Sequence, residues 1–161
     1  MAIMDSFRSA TADYSKPSPA AQPRRLTRLR ALCVTRAVAA AVPELRHFAR
    51  STARRWDIPQ DACDTLLLVV SELVTNTVIH SGSLDVTAVI VFDGVTMTVE
   101  VSDCGRWLVR DINRRVEQDR DAHFGRGLDL VRACTSRCTI HSRAAGTRVV
   151  VRFPVACGAG R

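Results

Sequence analysis

The stretch Val70-Ser-Glu-Leu-Val-Thr-Asn76 carries two polar side chains, Glu72 and Asn76, inside an otherwise apolar segment. Residues about 60–80 predict one helix, because their apolar side chains recur at helical spacing. Residues four apart on a helix lie about 40° apart around its axis, so the Glu72 carboxylate and the Asn76 amide project together. This pair forms either a narrow solvent-facing stripe or a site where Asn76 coordinates a hard cation and Glu72 handles a proton.

The apolar residues of this predicted helix occupy one broad arc. They are Cys63, Leu66, Leu67, Val70, Val74 and Val78. Leu68 and Ile79 lie almost opposite the arc, so we expect the helix to be buried on two sides. Ser81-Gly82-Ser83 is expected to end it.

The segments on either side of this helix predict an α+β fold. They are a first edge strand near 27–34, a helix from Pro43 to about Trp56 with Leu45, Phe48, Ala49 and Thr52 buried, a hairpin of 84–92 with 95–103 around Asp93-Gly94, a third helix after Gly127, and strands at about 137–143 and 147–153. We therefore expect a two-layer α/β sandwich, with helices on one face of a mainly antiparallel mixed sheet.

Asp103 stands at the end of an apolar row in the second hairpin strand. Val95, Met97, Val99 and Val101 share one face, and the period of two puts Asp103 on the same face. A carboxylate there needs hydrogen-bond donors. It either caps the following turn or accepts from a ligand amine, and Gly105 would let the backbone approach that ligand closely.

Two further glycine motifs lie nearer the C-terminus. Gly125-Arg126-Gly127-Leu128 begins the third helix, where exposed N–H groups can bind phosphates, although an ordinary helix start after a linker has the same pattern. It is neither a P-loop nor a dinucleotide fingerprint. Gly146-Thr147 opens the last strand and directs the Thr147 hydroxyl toward the core face.

Composition indicates one globular domain with tails. The chain has 161 residues and a net charge of +7, but Lys16 is the only lysine and the arginines are scattered, so nucleic-acid binding is not favoured. The proline-containing residues 1–23 predict a disordered tail, residues 24–156 are expected to form the domain, and residues 157–161 are expected to form a second tail.

We expect no membrane segment and no secretion signal, and a cytoplasmic location. Most cysteines are expected to be buried and reduced.

In this order, the motifs resemble those of the GHKL ATPase/kinase superfamily. Glu72-Leu-Val-Thr-Asn76 is similar to its N box, Asp103-Cys-Gly105 to its first glycine box and Gly125-Arg-Gly127-Leu128 to its second, with Gly146-Thr147 similar to its terminal threonine motif. The similarity extends over about residues 26–155. Two motifs, Val70-Ser-Glu-Leu-Val-Thr-Asn76 and Gly125-Arg-Gly-Leu-Asp-Leu-Val131, are especially similar in sequence to small stand-alone actinobacterial regulators related to anti-sigma-factor serine kinases.

The resemblance implies an ATP site with magnesium. Asn76 would ligate Mg²⁺, Asp103 would accept from adenine N6 with Thr147 nearby, and Gly105 would allow approach of the base. Gly125, Arg126, Gly127 and Leu128 would bind the phosphates beneath a lid formed by residues 106–124. Glu72 would be the general base that acts on a serine hydroxyl.

The resemblance also implies two functions. The first is a serine/threonine protein kinase that acts on a small anti-anti-sigma-type partner, also binds a sigma factor, and forms a homodimer. The alternative is a non-catalytic module that uses ATP to shape a partner-binding surface.

Overall fold

A computed structural model describes residues 28–105 and 127–156. Its elements, in chain order, are β1 (Leu29–Arg36), α1 (Ala41–Arg55), α2 (Gln60–His80), β2 (Asp85–Phe92), β3 (Thr96–Asp103), α3 (Gly127–Cys134), β4 (Arg137–Arg143) and β5 (Gly146–Pro154). The expected tails at 1–23 and 157–161, the expected lid at 106–124, and Gly125 and Arg126 lie outside the described residues.

The five strands form one sheet in the order β1-β2-β3-β5-β4. Every pairing between them is antiparallel. One face of the sheet packs against the three helices, and their shared core includes Leu66, Leu73, Ile90, Met97 and Val131. This arrangement confirms the predicted α+β sandwich with helices on one face, and among the described strands the sheet is antiparallel throughout rather than mixed.

Helix α2 is the centre of the helical layer. Its bounds agree with the prediction of a helix over 60–80. By length and composition it could cross a membrane, but 50% of its most apolar window is buried inside the fold. Leu66, Val70 and Val74 are fully buried. Its apolar character is therefore that of a core helix.

The prediction that α2 is buried on two opposite sides is wrong. Leu68 is only half-buried and Ile79 is 56% exposed, whereas Val69 and Leu73 are fully buried. In a two-layer sandwich the sheet covers one side of the helix and neighbouring helices cover its flanks. The buried surface of α2 therefore includes the side that faces the sheet and the flanks beside the other helices, whereas the side opposite the sheet faces solvent.

Three smaller differences concern the ends of elements and residues near them. Helix α1 begins two residues before Pro43, which lies in the first turn, where its missing N–H breaks no helical hydrogen bond. Leu84 and Val95, the first residues of the two predicted hairpin strands, lie just outside β2 and β3 and are 75% and 56% exposed. Phe48 is half-buried rather than buried, whereas Leu45 and Ala49 of the predicted face are fully buried.

The cysteines divide by exposure. The five that the structure describes are free thiols, of which Cys63 is buried while Cys104 and Cys134 are exposed. The expected burial is confirmed for Cys63 only, since Cys33 and Cys138 are half-buried. It is wrong for Cys104 and Cys134, because one lies beyond the end of β3 and the other ends the short helix α3.

The hairpin turn between β2 and β3 is stabilised by the carboxylate of Asp93. Its Oδ1 accepts hydrogen bonds from the backbone N–H groups of Val95 at 3.0 Å and Thr96 at 2.7 Å. Gly94 has a φ of 95°, which disfavours other residues there. The N–H of Thr96, followed by that of Val95, holds the pKa of Asp93 below its ordinary value.

Asp93→Asn is expected to remove a pH-dependent part of the stability of this turn. Because the pKa is lower in the folded state, the ionised carboxylate stabilises the fold above about pH 4, and this contribution disappears as the pH falls through the folded pKa. The turn is exposed, so we expect a loss of less than about 1 kcal/mol at pH 7. Urea unfolding of both proteins at several pH values measures the difference, which should shrink toward low pH. If the difference in the free energy of unfolding between the two proteins did not depend on pH, the Asp93 carboxylate would not stabilise the turn through its charge.

Candidate functional site

Asp103 is a buried carboxylate at the end of β3, on the face covered by α2. The residue is 8% exposed. Its Oδ1 accepts from the backbone N–H of Gly105 at 2.9 Å, and its Oδ2 accepts from the hydroxyl of Thr77 at 3.3 Å. Each carboxylate oxygen has lone pairs for further donors. The carboxylate is therefore held in position, and it can still accept from a ligand amine.

Two buried polar side-chain atoms have no hydrogen-bond partner among the described residues. One is the hydroxyl of Thr147, which is the residue opposite Asp103 in the β3–β5 register. The other is the amide nitrogen of Asn76, which precedes Thr77 on α2. A buried polar group without a partner typically costs about 1–3 kcal/mol. Two such atoms, one on the residue opposite Asp103 and one on the residue before Thr77, are typical of a site completed by a bound polar molecule.

Glu72 lies against the start of α3. A Cβ atom on Gly127 would collide with the carboxylate of Glu72. The atoms it would meet are the flexible end of the Glu72 side chain, so a larger residue in place of Gly127 would require that carboxylate to move. This contact brings the glycine motif of α3 and the Glu72–Asn76 pair of α2 into one region.

Two glycines make equally close backbone contacts around Asp103. A Cβ atom on Gly105 would collide with the backbone of Ser81 and Ser83. One on Gly146 would collide with the backbone carbonyl of Asp103. The end of β3 is therefore held between the loop that follows α2 and the start of β5.

Gly146→Ala is expected to destabilise the fold by about 3 kcal/mol. Gly146 has a φ of 142°, and the added methyl group would meet the immobile backbone of Asp103 rather than a flexible side chain. Gly82→Ala is the matched control, because Gly82 has a φ of 63° but open space around its Cβ position. It should lose only about 1 kcal/mol. Urea unfolding measures both, and equal losses would mean that crowding at Asp103 contributes nothing.

Two residues of this region were not predicted from the sequence. Thr77 is 1% exposed and donates to Asp103, and Ser83 accepts from the N–H of Cys104 at 3.1 Å. A signal existed for Thr77, because it lies on the buried arc of α2 one turn after Leu73 and a hydroxyl there needs a partner. The sequence contains no such signal for Ser83, because its hydrogen bond with Cys104 depends on how the loop after α2 packs against the end of β3.

The predicted site residues fall into two adjoining groups along α2. Asp103, Gly105 and Thr147 lie together at the strand ends, and Glu72, Asn76 and Gly127 lie where α3 meets α2. Leu128 is 8% exposed and belongs to the core, so only its backbone can face a ligand. Nothing is described for Gly125 and Arg126.

In the described part of the chain, no three His, Cys, Asp or Glu side chains are grouped as a metal site. Magnesium that accompanies a nucleotide needs few protein ligands, since phosphates and water supply the others. An amide oxygen is a suitable hard ligand, so the Asn76 side chain fits this kind of binding.

Comparison with known proteins identifies the family. Residues 35–153 match the family model of the histidine kinase-like ATPase domain. None of the curated proteins matches the chain. The structure is similar to that of the RsbU and RsbW domains of Rv1364c from Mycobacterium tuberculosis, with a TM-score of 0.59 and 20% identity over 79% of this chain. The likeness shows the fold, and it extends over 32% of the longer protein. Because the family model covers most of its 161 residues, the chain belongs to the histidine kinase-like ATPase domains, which bind nucleotides.

Proposed function

We propose that this protein binds ATP with Mg²⁺ beside α2, and that Asp103 recognises the adenine ring. One observation carries the proposal. The buried carboxylate of Asp103 lies opposite Thr147 in the strand register, and the buried hydroxyl of Thr147 has no hydrogen-bond partner among the described residues. The exocyclic amine of adenine is a donor suited to the carboxylate. The Thr147 hydroxyl would gain a partner from the base or from a water molecule beside it.

The phosphates would lie where Glu72, Asn76 and Gly127 come together. The amide oxygen of Asn76 would hold Mg²⁺, which neutralises phosphate charge when bound. The backbone N–H groups at the start of α3 would donate to phosphate oxygens, aided by the helix dipole. The resemblance to the GHKL superfamily extends this role to Gly125, Arg126 and the backbone of Leu128.

The same arrangement supports a serine/threonine protein kinase. Glu72 would act as the general base that accepts the proton of a serine hydroxyl while the phosphoryl group is transferred. The sequence motifs favour a small anti-anti-sigma-type protein as the substrate, with a sigma factor as a second partner. A homodimer and a cytoplasmic location complete this proposal. The fold likeness to a protein with an RsbW domain supports it.

Calorimetry with ATP, with and without Mg²⁺, tests the proposed site. We expect Mg²⁺-dependent binding of ATP and about tenfold or greater weakening with GTP, because guanine has a carbonyl where adenine has its amine and would meet the Asp103 carboxylate as a second acceptor. Equal affinity for the two nucleotides would contradict the role of Asp103. Absence of ATP binding by the folded protein would contradict the proposal as a whole.

A further inference from the structure

The face of the sheet that points away from the helices is strongly basic at one edge. We call its five cationic or titratable residues the basic outer face. They are Arg137, His141 and Arg143 of β4, and Arg148 and Arg152 of β5. All five are exposed. Because they alternate with core-facing residues along both strands, they form one continuous surface.

Like charges face each other across this surface. Arg137 is the register partner of Arg152, so two guanidinium groups are opposed, and the imidazole of His141 lies opposite Arg148. Opposed like charges destabilise a strand pair. Glu100 is the only acidic residue on the outer face of β3, β4 and β5, and it pairs with Arg148 at 2.7 Å. Within residues 28–105 and 127–156, Arg137, Arg143 and Arg152 form no ion pair.

The basic outer face ends at an open strand edge. In the described sheet, β4 has a strand neighbour on one side only. On its other face, Cys138 and Ile140 pack against the core but remain half-buried. A strand added beside β4 would therefore meet cationic side chains on one face and incompletely covered apolar side chains on the other.

We propose that the edge of β4 binds an extended segment of a protein partner in which acidic and apolar residues alternate. The main chain of that segment would pair with β4, as in other cases of strand addition. Its carboxylates would lie beside Arg137, His141 and Arg143, and its apolar side chains would cover Cys138 and Ile140. This interaction is separate from the proposed nucleotide site.

Two other occupants fit the surface less well. A single-stranded nucleic acid would need aromatic side chains for base stacking, and the described outer face has no Phe, Tyr or Trp. A second copy of the chain, paired through the same edge, would bring arginines against arginines, which is how charged edge strands prevent self-association. An acidic peptide satisfies both the charge and the unpaired strand edge.

The test uses a fluorescent peptide of about eight residues in which Glu and Val alternate. Anisotropy at low salt should show binding to the full chain, with affinity that falls as salt is added. R137E/R152E should weaken binding by about tenfold. The matched control is R50E/R54E on the exposed side of α1, which changes the net charge equally and should leave the affinity unchanged.

The folding of the variant is checked independently. R137E/R152E replaces one like-charge pair by another, so its thermal midpoint should match that of the wild type. If it does not fold, R143E carries the same test at the end of β4 near the turn, with R50E as its control.

Three results would overturn the proposal. The first is equal binding of a peptide whose backbone is N-methylated at alternate residues, because this would exclude strand pairing. The second is tighter binding of duplex DNA that is lost in R137E/R152E. The third is no binding of the peptide at low salt.

Discussion

Glu72→Gln is expected to lower phosphoryl transfer by about 10²- to 10⁴-fold while ATP still binds. Glutamine keeps the shape of the side chain and a hydrogen-bonding oxygen, but it cannot accept a proton from the attacking hydroxyl. Glu72 contacts the start of α3 through Gly127, and the substitution preserves the volume at this contact. The variant therefore separates chemistry from binding.

The measurement is transfer of labelled phosphate from ATP to small anti-anti-sigma-type proteins, supplied one at a time. Glu100→Gln is the matched control, because it makes the same chemical change on the outer face of β3, where Glu100 pairs with Arg148. It should leave transfer unchanged. If Glu72→Gln transfers phosphate at the wild-type rate, Glu72 is not the base. If the wild type binds ATP but transfers none, the non-catalytic binding module becomes the better interpretation.

Asn76→Ala is expected to weaken ATP binding in the presence of Mg²⁺ by at least about a hundredfold, since even the outer partners of metal ligands typically contribute about 10- to 100-fold. The variant removes the proposed amide ligand of the metal. Without Mg²⁺, the variant and the wild type should bind ATP similarly. Calorimetry under both conditions measures the effect.

The stability of the same variant gives an independent check on the site. The amide nitrogen of Asn76 is buried without a hydrogen-bond partner among the described residues, and such a group is unfavourable in the folded state, so Asn76→Ala should not lower the free energy of unfolding by more than about 1 kcal/mol. Asn76→Asp keeps an oxygen ligand and should retain part of the Mg²⁺ dependence. Wild-type affinity of Asn76→Ala for Mg²⁺-ATP would rule out the assignment of the metal ligand.

The order and type of the elements could be predicted from the sequence, because they depend on local periodicity. The apolar spacing over 60–80 gave both ends of α2, and Asp93-Gly94 gave the hairpin turn. The second buried side of α2 could not be predicted correctly. Leu68 and Ile79 have the same apolar character as Val69 and Leu73, and only the positions of neighbouring elements decide which of them is covered.

The candidate site shows the same division. The sequence by itself determined which side chains are unusual in their segments, namely Glu72 and Asn76 in an apolar helix and Asp103 at the end of an apolar strand row. Only the tertiary structure decided that Thr77 donates to Asp103, that Thr147 lies opposite it, and that Gly127 contacts Glu72. Periodicity is a property of neighbouring residues, whereas these contacts join residues far apart in the chain and exist only when α2, the sheet and α3 pack together.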